Sequence, residues 1–148
     1  VETPTHIAGL IEFANGAIIN MCTSFDVWGH GHAPIEIYGT QSSLKVPDPN
    51  IFGGTPQVFD KKARKWDDIP LTHGHTENPL RGLGLADLAY SIRTGRPCRC
   101  DARLAFHALE VMLAFNKSSA EGAPIAIQST CERPAALPLG LGDNELDG

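Results

Sequence analysis

A chain of 148 residues is long enough to form one domain with a substantial core. Hydrophobic residues make up 42% of it and charged residues 20%, as in an ordinary soluble globular protein. The formal net charge of −5 and the lack of a basic stripe argue against a nucleic-acid partner. No apolar run approaches the ~20 residues of a membrane span, and no export signal is recognisable. We therefore expect a cytoplasmic protein without a membrane partner.

The four cysteines do not form a convincing disulfide framework. Cys98 and Cys100 lie too close in sequence to pair without strain, and Cys22 fits an apolar strand. Reduced thiols are the simpler interpretation. A zinc site built from Cys98, Cys100, His107 and Cys131 is conceivable, but it lacks the two paired spacings usual for such sites.

The first predicted element is a β-hairpin in "THIAGLIEFANGAIINMCTSF", residues 5–25. Asn15 and Gly16 are residue types that supply the positive φ angles of a tight turn. Both arms are almost continuously apolar, which predicts a central position in a sheet with most of both faces covered.

Two further hairpins follow. In "IEIYGTQSSLKV", residues 35–38 should pair with residues 44–46 across a Gly-Thr-Gln-Ser turn. The proline- and glycine-rich stretch 47–56 should be a loop. The hairpin at 57–71, "QVFDKKARKWDDIPL", is more polar, and its basic tip is typical of a protected edge strand.

The hydrophobic period becomes helical after residue 71. Asn78 is a good N-cap followed by Pro79, and Gly95 should end this first helix. Its predicted buried stripe consists of Leu85, Leu88, Ala89 and Ile92.

A second helix should begin at the cap Asp101 and end at Gly122. Its predicted stripe consists of Leu104, Ala108, Val111, Met112 and Phe115. "PIAIQS" at 124–129 is predicted to be a final strand, and residues 134–148 show no periodicity and should be extended or disordered.

These elements predict an α+β domain over residues 1–133, with a tail at 134–148. The sheet should be mostly antiparallel and open on one face, with two main helices packed on the other. The open face is too apolar for water, so we expect it to bind a second copy of the chain. The chain starts at Val1 and has no catalytic constellation of its own, which favours a part of a longer protein.

Two His-Gly-His sequences, at 30–32 and 73–75, are candidate sites. Four imidazoles could bind zinc, nickel or copper, but no carboxylate or cysteine joins them at ligand spacing. Trp28, His30 and His32 could instead line a polyol pocket, with the indole stacking on a ring and the imidazoles bonding hydroxyls. Exposed loop histidines without a shared role are the third interpretation.

The segment "GLGLAD", residues 82–87, is close to the glycine pattern that binds a dinucleotide pyrophosphate. It follows a predicted loop rather than a strand, and Asp87 replaces the third glycine, so close helix packing explains it better. Asn78 and Arg81, at the same helix start, are candidate substrate contacts whose other roles would be a cap and an ion pair.

Several segments resemble one family. "FANGA", "IEIYGT", "SIRTGRP" and "SSAEGAPIAI" are similar to the C-terminal half of the Gfo/Idh/MocA oxidoreductases, which include glucose-fructose oxidoreductase and inositol dehydrogenase. The resemblance runs from about residue 1 to residue 133. It implies a large, mostly antiparallel sheet backed by helices, with an open face that forms a dimer.

The resemblance also implies a function. Full-length members carry an N-terminal Rossmann domain that binds NAD or NADP, and a catalytic lysine in a Glu-Lys-Pro motif; this sequence has neither. The chain would then be the substrate-binding and oligomerisation half of a sugar or cyclitol dehydrogenase, inactive alone and without a bound cofactor. Trp28, His30 and His32 would contact the substrate, with Asn78 and Arg81 as a second choice.

Two alternatives stay open at this point. The chain could be a stand-alone dimeric ligand-binding module without redox activity, or a metal-dependent enzyme that uses the His-Gly-His pairs. The identity of the sugar or cyclitol and the choice between NAD and NADP do not follow from the residues.

Overall fold

The computed structural model describes residues 2–76, 81–142 and 145–147. These ranges contain six strands and two helices: β1 (His6–Glu12), β2 (Ile18–Ser24), β3 (Ile35–Tyr38), β4 (Ser43–Val46), β5 (Gln57–Asp60), β6 (Lys65–Asp68), α1 (Leu83–Thr94) and α2 (Ala102–Glu121). Every strand pairing is antiparallel, and the helices follow the strands. The predicted α+β class is therefore confirmed.

The described strands form two sheets rather than one. β1 pairs with β2, and the other four pair in the order β3-β4-β5-β6. The chain divides into two compact units, one made of Val1–His30 and Asp101–Glu132, the other of Gly31–Cys100 and Arg133–Gly148. The first unit contains β1, β2 and α2, and the second contains the four-stranded sheet and α1.

The hairpin of the first unit forms where the sequence predicts it, with a different turn. The Phe13 N–H donates to the Ala17 carbonyl at 2.9 Å. Of the turn residues only Gly16 has a positive φ, +85°. The side-chain oxygen of Asn15 instead accepts the Ala17 N–H at 3.0 Å, so asparagine stabilises this turn by hydrogen bonding.

The predicted central position of this hairpin is wrong for the described residues. β1 and β2 stand as a two-stranded sheet, with no third strand beside them. Leu10 and Ile18 are consequently largely exposed. Both arms are apolar, as in a central pair of strands. The described residues of this unit do not cover them.

The ends of α2 follow the prediction. The Asp101 carboxylate accepts the Leu104 N–H at 2.9 Å, and Gly122 ends the helix with a φ of +63°. In the predicted stripe, Leu104, Val111 and Phe115 are half-buried, whereas Ala108 and Met112 are exposed.

The contact of α2 with β1 is close. A Cβ atom added at Gly9 would lie 2.7 Å from the Phe115 ring, so the ring occupies the space of a side chain on the strand. Glycine at this position therefore permits the approach of helix and strand.

Residues 124–129 do not form the predicted strand. The N–H groups of Gln128 and Ser129 donate to the Glu110 carboxylate at 2.8 and 2.9 Å. Hydrogen bonds from the Ser129 side chain and from these two N–H groups hold the pKa of Glu110 below its ordinary value. Because these N–H groups already donate to Glu110, they cannot pair with a neighbouring strand.

The second unit contains the other two predicted hairpins. β3 pairs with β4, and β5 with β6, whose edge position matches the prediction from the basic tip. Phe59 and Trp66 meet edge to face at 5.4 Å between ring centroids, and the Lys45 ammonium lies 4.3 Å from the centroid of the indole. These contacts join three strands on one face of the sheet.

Helix α1 begins at Leu83 and ends at Gly95, whose φ is +75°. The predicted cap Asn78 lies outside the described residues. The predicted buried stripe is wrong, because Leu85 is 73% exposed and Ile92 77% exposed. The covered side of the helix instead carries Asp87, which is 4% exposed.

The packing of β1 against α2 gives a first prediction. Gly9→Ala should lower the free energy of unfolding by about 1–2 kcal/mol, because the new methyl group would overlap the Phe115 ring. Chemical denaturation of the variant and of the unaltered chain measures this difference. Gly29→Ala is the matched control, since a Cβ atom there meets nothing within 4 Å. An unchanged midpoint for Gly9→Ala would show that the ring moves aside freely.

Candidate functional site

The loop that follows β2 carries Trp28 and His30, and its base is fixed to the start of β1. The Phe25 N–H donates to the Thr5 carbonyl at 2.9 Å. The Thr5 hydroxyl donates to the Asp26 carboxylate at 2.5 Å, and the Asp26 N–H donates to the Ser24 hydroxyl at 3.0 Å. These three hydrogen bonds fix the backbone position at which the loop begins.

Beyond this base the loop exposes an aromatic surface. Phe25 and Trp28 are almost fully accessible, and His30 is also exposed. Large aromatic side chains that are exposed to solvent are typical of surfaces that bind a ligand or another protein. In general an indole face can stack on a sugar ring, and an imidazole can bond its hydroxyls.

The remaining predicted contacts belong to the second unit. His32 is exposed and lies shortly before β3. Arg81 precedes α1, and its guanidinium donates to the Asn50 side-chain oxygen at 2.8 Å. Asn78 lies outside the described residues. Trp28, His30 and His32 thus lie on the one connection between β2 and β3, in which the first unit ends at His30 and the second begins at Gly31, whereas Arg81 precedes α1 in the second unit.

The second His-Gly-His has local partners. A ring nitrogen of His73 lies 3.0 Å from the Thr72 hydroxyl, and Nε2 of His75 donates to the Glu145 carbonyl at 2.7 Å. Across the described ranges, no three His, Cys, Asp or Glu residues come together as a metal site would require. The structure thus gives the metal-enzyme hypothesis no support.

The residues of the conceivable zinc site are divided between the units. Cys98 and Cys100 belong to the second unit, and His107 and Cys131 to the first. Nδ1 of His107 lies 2.8 Å from the Ser129 hydroxyl, and all four cysteines of the chain are free thiols. The histidine is therefore hydrogen-bonded within its own unit.

The glycine-rich segment 82–87 does not fit a dinucleotide. Residues 70–76 contain no strand, and the carboxylate of Asp87 stands where the pattern needs a glycine. The close helix packing expected of these glycines is also wrong, because a Cβ atom added at Gly82 or Gly84 would meet no atom of the described residues within 4 Å.

Asp87 organises an ion cluster that the sequence patterns did not reveal. Its carboxylate accepts from the Arg96 guanidinium at 2.7 Å, the Arg99 guanidinium at 2.5 Å and the Arg99 N–H at 2.8 Å. Asp147 pairs with Arg96 at 2.8 Å and with Arg99 at 3.4 Å. One buried carboxylate thereby joins α1, the segment after it and the end of the chain.

The arginines of this cluster lower the pKa values of its two carboxylates. Burial alone would raise the pKa of Asp87, but the hydrogen bonds from Arg96 and Arg99 outweigh it and hold that pKa well below its ordinary value. Arg96 is the main cause of a lowered pKa at Asp147. Both carboxylates therefore stay ionised at neutral pH.

A family model described as "Oxidoreductase family, C-terminal alpha/beta domain" matches residues 3–127. The chain belongs to the Gfo/Idh/MocA oxidoreductase family. No curated protein and no solved structure shows a significant match. The family match includes all six strands and both helices, whereas the tail that carries Asp147 lies beyond it.

The family assignment makes this an oxidoreductase domain. None of the helices in the described ranges is long and apolar enough to cross a membrane. The loop after β2 carries exposed aromatic side chains, and the Asp87 cluster contains a buried charge.

The Asp87 cluster gives a second prediction. Asp87→Asn should cost about 3 kcal/mol of stability, because two partly buried guanidinium groups would lose the charge that compensates them. Asp67→Asn is the matched control, since the Asp67–Lys65 pair at 2.8 Å is exposed and its loss should matter far less. Equal effects in urea denaturation would contradict the structural importance of the cluster.

The same cluster predicts the direction of the pH dependence. The pKa values of Asp87 and Asp147 are lowered in the folded chain, so their contribution to stability is complete above the unfolded value of 3.8. This contribution should decrease as the pH falls below about 4, and the decrease should be smaller in Asp87→Asn, where only the part of Asp147 remains. Thermal unfolding between pH 7 and pH 3 measures the difference between the two proteins.

Proposed function

We propose that the chain is the substrate-binding and oligomerisation part of an NAD(P)-dependent oxidoreductase that acts on a secondary alcohol of a sugar or cyclitol. The supporting observation is the family match over residues 3–127. The family is one of oxidoreductases, and the matched part is its C-terminal domain. A cofactor domain would be supplied by another part of the enzyme.

The chemistry proposed is hydride transfer between the alcohol carbon and a nicotinamide, while a base removes the hydroxyl proton. The residues of this chain would not take part in that transfer. They would hold the polyol so that the reacting carbon has one orientation, which can lower a barrier substantially through positioning alone.

The proposed substrate contacts are Trp28, His30 and His32, with Asn78 and Arg81 as secondary contacts. The exposed indole offers an apolar face for a sugar ring, and imidazoles can donate to or accept from hydroxyls. The anchored base of the loop supports the proposal for Trp28 and His30, since it limits the conformations that binding would have to restrict.

Self-association is proposed through the exposed apolar surface of the hairpin, where Leu10 and Ile18 face solvent. Covering such side chains would contribute about 25 cal/mol per Å² of apolar area. A second copy of the chain is the proposed partner.

The test of the function begins with the coding sequence upstream of residue 1. A Rossmann domain with a Glu-Lys-Pro motif in the same frame, and NAD(P)-dependent oxidation of inositols or sugars by the complete protein, would support the proposal. An encoded protein without a cofactor domain that binds a polyol but shows no redox activity would instead support the stand-alone binding module.

A third prediction concerns the histidines. In the complete enzyme, His30→Ala and His32→Ala should each raise KM for the polyol roughly tenfold, the effect of losing about one hydrogen bond. His6→Ala is the matched control, because His6 is an exposed histidine on β1 outside the loop. Steady-state kinetics that are unchanged in the His30 and His32 variants would remove both residues from the site.

A further inference from the structure

A small cavity of about 180 Å³ lies in the second unit, beside the first turn of α1. Its walls are mostly apolar and include Phe52, Leu83, Leu137 and Leu146, and the polar lining consists of Arg81, Asp87, Arg99 and Cys100. A small organic molecule would fit it better than a sugar, because few polar groups are present to bond many hydroxyls.

The tail forms part of the cavity wall through a buried anchor. Leu146 is 3% exposed, and the neighbouring Asp147 is paired with Arg96 and Arg99. The Glu145 carbonyl accepts from His75 at 2.7 Å. The wall contributed by the tail is therefore held by charges and hydrogen bonds on both sides of Leu146.

The charged groups around the cavity are not all paired with one another. Three guanidinium groups, of Arg81, Arg96 and Arg99, lie in this region with two carboxylates, of Asp87 and Asp147. The carboxylate of Asp87 accepts from four donors, the Cys98 thiol included, and Arg81 has the neutral Asn50 oxygen as its partner. Of these five groups, the Arg81 guanidinium has no carboxylate partner among the described residues, and the Glu145 carboxylate nearby accepts the Gly142 N–H instead.

The Arg99 guanidinium has one nitrogen without a hydrogen-bond partner among the described residues. Nε of Arg99 is inaccessible to water and has no hydrogen-bond acceptor among the described residues. An unsatisfied buried donor costs about 1–3 kcal/mol, so the present partners of Arg99 do not satisfy its guanidinium group completely. The first turn of α1 adds partial positive charge, since Gly82 provides no side-chain cap and no acidic residue lies in that turn.

We propose that this cavity binds a small carboxylate with an apolar body. The carboxylate would interact with Arg81, Arg99 and the start of α1, and the apolar body would contact the leucines and Phe52. The site does not rest on the proposed polyol function, and it needs no nicotinamide.

Benzoate is the probe, and benzyl alcohol is its neutral counterpart of similar shape. In an NMR titration of the 148-residue chain, benzoate should shift the amide signals of Leu83 and Gly84 in a saturable manner. Benzyl alcohol should bind at least tenfold more weakly. Equal affinity for the two compounds, or no saturable shift with benzoate, would overturn the proposal.

Two variants locate the binding. Arg81→Gln should weaken benzoate binding at least tenfold, whereas Arg93→Gln, which removes an arginine near the other end of α1, should not. Gly84→Leu should abolish binding, since Gly84 lines the cavity and an added Cβ atom meets nothing within 4 Å. Circular dichroism confirms the fold of each variant. Full affinity in Gly84→Leu would show that benzoate binds elsewhere.

Discussion

A carboxylate shielded from water must be surrounded by donors, because desolvation otherwise favours its neutral form. Asp87 meets this condition through Arg96 and Arg99, and these arginines also bind Asp147 near the end of the chain. The pairing works only when α1, the segment after it and the tail are in place together. Among the described residues only Asp87 and Leu146 are buried, so this cluster is where the second unit excludes water.

The orientation of α1 follows from that constraint. The side of the helix that carries Asp87 must face the arginines, and the apolar residues Leu85, Leu88 and Ile92 therefore face outward. A comparable exposure occurs in the first unit, where β1 and β2 have no neighbouring strand. Both units thus expose apolar side chains, and the family match is to a C-terminal domain.

The elements with strong local signals were predictable from the sequence. Gly16, Gly95 and Gly122 end their elements with positive φ angles, and Asp101 caps α2 through its own carboxylate. The buried side of α1 was not predictable by periodicity, because the partners of Asp87 lie nine and twelve residues further on and beyond the helix. The strand predicted at 124–129 failed for a related reason, since its N–H groups bind Glu110. In the candidate site, the residue types of the Trp28 loop suggested polyol binding, but its anchoring through Thr5 is a long-range contact that no local pattern contains.

The two candidate regions differ in their relation to the family. The loop with Trp28 and His30 lies inside the match over residues 3–127, so a role in binding the family's substrate would be a property of the shared domain. The cavity beside α1 is walled partly by Leu137 and Leu146, which lie outside the match. Its lining also differs, since guanidinium groups beside apolar walls suit a carboxylate with an apolar body better than a polyhydroxylated ring. The tail, which the ion cluster holds in place, therefore gives this chain a concave surface that the matched domain does not form by itself.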